Sequence, residues 1–261
     1  MSQGITIDAL RDFATKLTTD VRRAIGCLSD KTPSDEESYA IQCWLIYLSM
    51  LVYDAARGAA DLYIAGNTRA AVILQRQLYE YTVRAKYFLQ EPEDGIKAFK
   101  ARKARHYSKL RNLSIKDELR QAIDEMHSQW KSANPEITED YGQRKFHKMA
   151  LGADSATGYG YHYEIPSIWA HATLVGFDVF DLRDDKVQIS FESVSLTPQI
   201  GLASVIVTLL RHVRLLYAIG VADNPLQYAA ESQRIAKLLA TELGIRPGEW
   251  SENVPRDESA R

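Results

Sequence analysis

Residues 68–90 read TRAAVILQRQLYEYTVRAKYFLQ, a segment whose apolar side chains recur at the spacing of an α-helix. At about 100° per residue, these side chains form two faces on nearly opposite sides of the helix. The first face consists of Ala71, Leu74, Leu78, Tyr81, Ala85 and Phe88, and the second of Ile73, Val83 and Tyr87. Because a helix that is apolar on two sides packs on two sides, the segment predicts an inner helix of a layered bundle.

Helical periodicity continues on both sides of this segment. Ser34 followed by Glu37 is a capping-box pattern for the preceding helix, and Ser114 is an expected N-cap further along. Val187 and Ile189 alternate with polar residues in a strand-like segment, which can pair with 178–182. The predicted helices cover 7–28, 35–64, 68–90, 93–112, 115–133, 166–179, 197–222 and 225–243, with a short one near 143–149.

These elements predict an all-α fold. We expect a single bundle of eight or nine helices, with at most one short β-ribbon near 178–192. No long linker and no internal repeat divides the sequence. The sequence therefore predicts one helical domain over 1–243, followed by a loose polar tail at 244–261.

The composition excludes several classes of protein. With 46% hydrophobic residues the chain is too apolar to be disordered. Its two cysteines are too few for the disulfide framework of a small secreted protein. A formal net charge of −2 argues against a wholly basic nucleic-acid coat. Cys27 and Cys43 lie outside any C-x-x-C motif, so reduced thiols are expected.

The sequence favours a cytoplasmic protein that does not enter the membrane. Residues 1–17 lack the basic and then apolar segments of a secretory signal. The longest apolar stretches, 43–53 and 200–210, are each about half of the roughly 20 residues that cross a bilayer. We therefore expect two buried core helices at these positions.

Two charged residues interrupt the second apolar face of the 68–90 helix. Arg76 and Glu80 lie one turn apart on that face. Buried charges are costly unless they are paired and hydrogen-bonded. The pair is therefore either an internal ion pair that fixes helix packing or the floor of a polar pocket. Lys103 and His106 interrupt an apolar line on the next helix in a similar way, which makes them candidate ligand-binding residues.

A narrow polar strip follows Pro166. Tyr163, Ser167 and His171 recur at four-residue spacing, and Asp178 lies on the same side of the helix. The strip is either the solvent side of an amphipathic helix or the wall of a pocket. In a pocket, His171 and Ser167 could transfer protons near neutral pH, although no orienting third group can be identified.

The R-x-x-x-E motif at Arg76–Glu80, a basic helix after a proline, and the Y-x-x-x-S-x-x-x-H motif at Tyr163–His171 resemble a bacterial family of all-helical domains of unknown function. The resemblance covers roughly residues 40–220. It implies that these separated segments converge on one polar centre, and it supplies no reaction. The candidate residues of this centre are His171, Ser167, Glu80 and Arg76 as catalytic groups, with Tyr163, His106 and Lys103 as ligand-binding groups.

A purely basic stretch runs from residue 97 to 116. It contains eight basic residues and no acidic one, so its local field can attract a phosphate backbone in a nearly neutral protein. The alternative is a solvated helix face that acidic neighbours balance. The candidate nucleic-acid-binding residues are Lys97, Lys100, Arg102, Arg105, Lys109 and Arg111.

A helical bundle with a basic face also resembles, more distantly, the HEPN group of RNA-cleaving toxin and defence proteins. The HEPN arginine–histidine motif has its nearest counterpart at Arg120 and His127, two turns apart on one helix. The resemblance implies that the arginine stabilises a phosphate and the histidine moves the proton of a 2′-hydroxyl. Gln121 departs from the Asn, Asp or His that usually follows the arginine.

No nucleotide-binding loop, dinucleotide fingerprint or metal-ligand spacing occurs, so neither a cofactor nor a metal is expected. The leading hypothesis is a protein that binds a small ligand or a partner at the polar centre. The alternatives are a HEPN-like ribonuclease, which would be the first reaction to test in any enzyme assay, and a non-catalytic interaction scaffold. RNA, another protein or a second copy of the chain are the partners that this reading allows.

Overall fold

The computed structural model describes residues 5–111, 116–138, 146, 149–150, 180–183, 186–189 and 197–243. The chain divides into two compact units, Met1–Lys86 with Leu151–Arg261, and Tyr87–Ala150. The dividing line falls inside the third helix. The single domain expected over 1–243 stays a prediction.

The first unit begins with helix α1, Ile7–Ser29, whose N-cap Thr6 accepts a hydrogen bond from the Ala9 amide at 3.2 Å. Leu10, Leu17 and Val21 recur along one side of α1 and are buried, as their spacing predicts. This side packs against α2, Glu36–Ile64, and against the later helix α6, Pro198–Ala218.

The N-cap of α2 differs from the expected one. Asp35, and not Ser34, caps the helix, because its carboxylate accepts the Ser38 amide at 2.7 Å. The Ser34 hydroxyl instead lies 2.8 Å from the Asp35 carboxylate. Backbone and hydroxyl hydrogen bonds, those of Ser38 first, lower the pKa of Asp35, which keeps the cap ionised.

A tight turn joins α2 to α3, Thr68–Gln90. Gly66 adopts a φ of 76°, a left-handed conformation that glycine adopts without steric cost. Asn67 then accepts the Ala70 amide at 3.4 Å and starts α3. The hairpin places Leu74 of α3 against Gly58 of α2, where a Cβ atom would lie 2.8 Å from the leucine.

Helix α6 is a core helix, since thirteen of its 21 residues are buried. It packs against α1, α2 and the last helix, α7, Ala229–Leu243. Gly201 of α6 is in close contact with the ring of Tyr63, which leaves no space for a larger side chain. The expected helix at 225–243 begins with a 3₁₀ turn over Pro225–Tyr228.

The second unit is a helical hairpin of α4, Pro92–Arg111, and α5, Asp117–Ala133. Its core consists of Ala101, Ala104, Trp130 and Ile137. Ser114 lies outside the described residues, and the N-cap position of α5 is Lys116, whose side chain makes no capping hydrogen bond. At the junction of α3 and α4, the Tyr87 hydroxyl donates a hydrogen bond to Asp94. Burial is the larger cause and this bond the second cause of a raised pKa of Tyr87.

The expected β-ribbon is present. Strand β1, Phe180–Arg183, pairs with β2, Lys186–Ile189, in antiparallel register, with Phe180 opposite Ile189. Seven α-helices occur within the described ranges, fewer than the eight or nine expected over the whole chain, and the helix expected at 166–179 lies outside those ranges. The all-α fold class is confirmed.

Two helices of this fold, Glu37–Ile64 and Pro198–Ala218, are long and apolar enough to cross a membrane by length and composition. Core helices of soluble proteins meet the same criterion, and 72% of the relevant window in the second helix is buried inside the protein. In the first helix the buried share is 39%. The cytoplasmic location and the lack of membrane association stay predictions.

Candidate functional site

The outward side of α4 carries a row of positively charged and polar side chains. Arg102, Lys103, His106 and Lys109 are exposed, and they lie within about 120° of one another around the helix. We call these four residues the basic face. The opposite side of α4 is buried, because its small residues Ala101 and Ala104 pack in the hairpin core.

No carboxylate of the described residues forms an ion pair with the basic face. The sequence explains this, since no acidic residue occurs from Gly95 to Arg111. The Lys103 ammonium lies 6.0 Å from the centre of the Tyr107 ring, near the limit of a cation–π contact. Within the part of the chain that the structure describes, the positive charge of this surface is thus not neutralised by an ion pair.

The other candidate basic residues surround this face at different depths. Lys97 is exposed, whereas Lys100 and Arg105 are half-buried. Arg111 ends α4, and its side chain lies outside the described part of the chain. Lys103 and His106, which interrupt an apolar line in the sequence, are both exposed, and their role as ligand-binding residues stays a prediction. Ala101 and Ala104 lie on the inner side of α4, because small residues allow close approach of the helices.

Arg76 and Glu80 of α3 are both half-buried, as their position on an apolar face predicts. Glu80 forms an ion pair with Arg84 on the same helix, and the internal ion pair considered for Arg76 and Glu80 stays a prediction. Arg84 donates from Nε and Nη2 to Glu80 Oε1 at 3.0 and 2.8 Å. A glutamate four residues before a basic residue is the better order on a helix, because it agrees with the helix dipole.

Arg120 and His127 lie on α5 at different depths. Arg120 is exposed in the first turn, whereas His127 is 7% exposed and belongs to the buried side of α5, like Ile123 and Trp130. The two residues considered for a ribonuclease motif thus differ in their accessibility to solvent. Its role in catalysis stays a prediction.

Tyr163, Ser167, His171 and Asp178 lie outside the described residues. Their expected convergence with Arg76 and Glu80 stays a prediction for the same reason. Within the described ranges, no group of three or more His, Cys, Asp or Glu side chains could hold a metal ion.

Sequence reasoning missed a cleft in the first unit, between α1 and the turn after α6. Asp20 is 8% exposed, and its Oδ2 atom accepts a hydrogen bond from the Tyr228 hydroxyl. Burial, and next this bond to Asp20, raise the pKa of Tyr228, so its hydroxyl stays protonated and donates. The sequence feature that could have indicated this cleft is Asp20, an acidic residue on the same helix as the buried Phe13 and Ala24.

Sequence reasoning also missed a buried serine–histidine pair. His212 of α6 and Ser49 of α2 are both fully buried, and His212 Nε2 lies 3.0 Å from Ser49 Oγ. The Nδ1 atom of His212 has no hydrogen-bond partner among the residues that the structure describes. Burial lowers the pKa of His212 to about 4, so the imidazole is neutral at pH 7. The sequence feature that could have indicated this pair is a single histidine, His212, in the largely apolar segment of α6.

These observations define an all-α protein with an exposed basic helix face and with buried polar groups that bond to one another. The chain belongs to DUF5677, a family of unknown function, whose model matches residues 42–188. The match begins within α2, includes α3, α4, α5 and β1, and ends within β2. It confirms the expected membership of an uncharacterised family.

No curated protein and no solved structure matches the chain. The family description states no activity, ligand or partner. Functional inference therefore rests on the residues themselves.

Proposed function

We propose that this protein binds RNA, and that the basic face of α4 contacts the phosphate backbone. The observation that carries the proposal is the exposed charge of Arg102, Lys103 and Lys109, which no carboxylate within the described ranges pairs with. Arginine suits this role because its planar guanidinium donates two parallel hydrogen bonds to a phosphate.

The spacing of these cations supports the proposal. Residues 102 and 109 are separated by about 10.5 Å along the axis at a rise of 1.5 Å per residue. This length is close to the Debye length of about 10 Å at 0.1 M salt, so the fields of the three cations add. A phosphate chain laid along the face would release the counterions that this field holds.

Two neighbouring groups favour RNA among polyanions. His106 lies at the centre of the basic face and is exposed, so its ring nitrogens can hydrogen-bond to phosphate or ribose oxygens. Tyr107 supplies an aromatic ring beside Lys103, and single-stranded RNA is commonly bound by base stacking on such rings. The proposal concerns RNA binding alone and does not include cleavage by Arg120 and His127, because His127 is buried.

The test is binding of a fluorescently labelled 20-nucleotide single-stranded RNA at several salt concentrations. The triple variant Arg102→Gln/Lys103→Gln/Lys109→Gln is compared with a matched control, Arg22→Gln/Lys131→Gln/Arg234→Gln. The control removes the same charge from exposed positions elsewhere. We expect the first variant to raise Kd more than tenfold and the control to change Kd less than threefold.

The salt dependence of the RNA-binding constant tests whether the basic face contacts phosphate groups. Three phosphate contacts to a single strand predict a slope of log K against log salt near −2, at about −0.7 per contact. This slope should approach zero in the triple variant of the basic face. Equal losses in both variants, or binding of duplex DNA without binding of RNA, would overturn the proposal.

A second candidate function is binding of a small ligand or a partner at the polar centre that includes Arg76 and Glu80. The favouring observation is that Glu80 and Arg84 keep 20 and 24% of their side chains exposed. Such a pair is accessible to a ligand, unlike a sealed internal ion pair. Metabolites that copurify with the wild type and are lost from Glu80→Gln would support this candidate, and identical extracts would count against it.

A further inference from the structure

The first unit contains a cleft that is distinct from the proposed RNA-binding face. Its volume is about 220 Å³, which corresponds to about seven water molecules at about 30 Å³ each. It is smaller than the roughly 300 Å³ at which sites for drug-sized ligands begin. The cleft therefore suits a small organic group. Its lining residues are Asp20, Arg23, Ala24, Cys27, Gly220, Val221, Ala222 and Asp223.

The deepest polar group of the cleft is the Asp20 carboxylate, which is more than nine-tenths buried. Tyr228 donates to Oδ2. The nearest cationic atom to Oδ1 is Arg23 Nη1 at 3.7 Å, which is too long for a hydrogen bond. Because Arg23 lines the cleft, Oδ1 is the oxygen on the cleft side. Oδ1 is thus paired with Arg23 at ion-pair distance but accepts no close hydrogen bond from it, so it can accept an N–H group of a ligand in the cleft.

The charges around the cleft favour a cation. Asp20 and Asp223 contribute two carboxylates against the single guanidinium of Arg23, which Asp223 holds at 2.6 Å. The carboxyl end of α6 adds a partial negative charge from the helix dipole. Lys31 already donates to the Ile219 carbonyl at this end, at 3.3 Å. The remaining walls are apolar and come from Ala24, Val221 and Ala222.

We propose that this cleft binds a small organic cation, with a primary ammonium or guanidinium group on a short apolar body. The N–H group of the ligand donates to Asp20 Oδ1, and the apolar body lies against Ala24, Val221 and Ala222. Tyr228 orients the carboxylate by occupying its other oxygen. Asp20 is thus the specificity-determining residue of the site.

The chain provides its own reporter for this site. Cys27 lines the cleft, whereas Cys43 lies on α2, and both thiols are free and exposed. The probe is n-butylammonium chloride, and alkylation of each thiol by iodoacetamide is followed by mass spectrometry. n-Butanol and sodium butyrate, at equal concentration and ionic strength, are the neutral and anionic controls.

We expect saturating n-butylammonium to slow alkylation of Cys27 at least threefold and to leave the rate at Cys43 unchanged. The two control compounds should protect neither thiol. Asp20→Asn should abolish the protection, because the amide keeps an acceptor for Tyr228 but loses the charge. Asp54→Asn, at an exposed position on α2, should retain it.

Ala222→Leu provides a second variant, which fills the cleft and leaves the Asp20–Tyr228 bond in place. If circular dichroism shows that Asp20→Asn does not fold, the protection of Cys27 in Ala222→Leu tests the proposal instead. Protection that survives in the folded variants, equal protection by n-butanol, or no protection at any concentration up to 100 mM overturns the proposal.

Discussion

Acid should destabilise this protein through His212, which is fully buried between helices. Its imidazole has a single hydrogen-bond partner among the described residues, Ser49. Protonation would place a charge in this apolar site, where no described carboxylate pairs with it. The unfolded chain carries no such penalty, because there the ring is exposed to water. Lowering the pH therefore favours unfolding.

The magnitude follows from the pKa of His212, which burial lowers from 6.5 to about 4. Between these two values the unfolded state binds more protons than the folded state, so stability falls as the pH falls below 6.5. At 1.36 kcal/mol per pKa unit, the loss is about 1 kcal/mol at pH 5.5 and about 2–3 kcal/mol at pH 4.5. Above pH 7 the histidine contributes no pH dependence.

The assay is guanidinium denaturation at pH values from 7.5 to 4.5, followed by circular dichroism, on the wild type and His212→Gln. Glutamine keeps an amide that can bond to Ser49, and it does not titrate. Its stability at pH 7.5 sets the baseline, and the difference between the two pH profiles isolates His212 from all other groups. We expect the wild type to lose about 2–3 kcal/mol more than the variant by pH 4.5.

His106→Gln is the matched control, since His106 is an exposed histidine. This variant should follow the wild-type profile. Parallel profiles for the wild type and His212→Gln would refute the reasoning, because they would mean that His212 titrates alike in the folded and unfolded states.

Gly201→Ala should cost about 1–3 kcal/mol in thermal or chemical denaturation, because the added methyl would overlap the ring of Tyr63. Gly26→Ala is its control: nothing lies within 4 Å of the added methyl in α1, so it should stabilise by about 0.5–1 kcal/mol, and a loss there would contradict the packing argument. Asp35→Ala should cost about 1 kcal/mol as the N-cap of α2. Ser34→Ala should cost less than half as much, and the reverse order would restore Ser34 as the cap.

The helices of the fold could be predicted from the sequence because apolar spacing and local turn residues define them. The stripe of Leu10, Leu17 and Val21 predicted α1 and its buried side. The outward side of α4 could not be predicted in this way. Alanine is compatible with either side of a helix, so the pattern assigned the inner side to larger residues, whereas Ala101 and Ala104 occupy it.

The candidate sites could be predicted only in part. The basic composition of α4 was visible in the sequence, but the exposure of Arg102 and Lys109 depends on which side packs against α5. The cleft residues Asp20 and Tyr228 are more than 200 residues apart in the sequence. No local pattern relates two such residues, because only the packing of the helices brings them together.

Buried polar bonds explain how α6 acquires a unique position in this core. A helix that is apolar on nearly every side has little preference for its rotation or its translation among apolar neighbours. Ser204 of α6 accepts from Gln75 of α3 at 3.0 Å, and Gln75 in turn accepts from Tyr63 of α2. His212 bonds to Ser49 eight residues further along α6, about 12 Å away at 1.5 Å per residue.

Two bonds at this separation fix both the rotation and the translation of α6. A shift of one residue would turn both side chains by about 100°, and the buried Gln75 Nε2 group would lose Ser204 while Ser49 would lose His212. Each unpaired group costs about 1–3 kcal/mol, so the shifted packing is disfavoured even where apolar contacts are equivalent. Hydrophobic burial therefore supplies the stability of α6, and these polar bonds select its register.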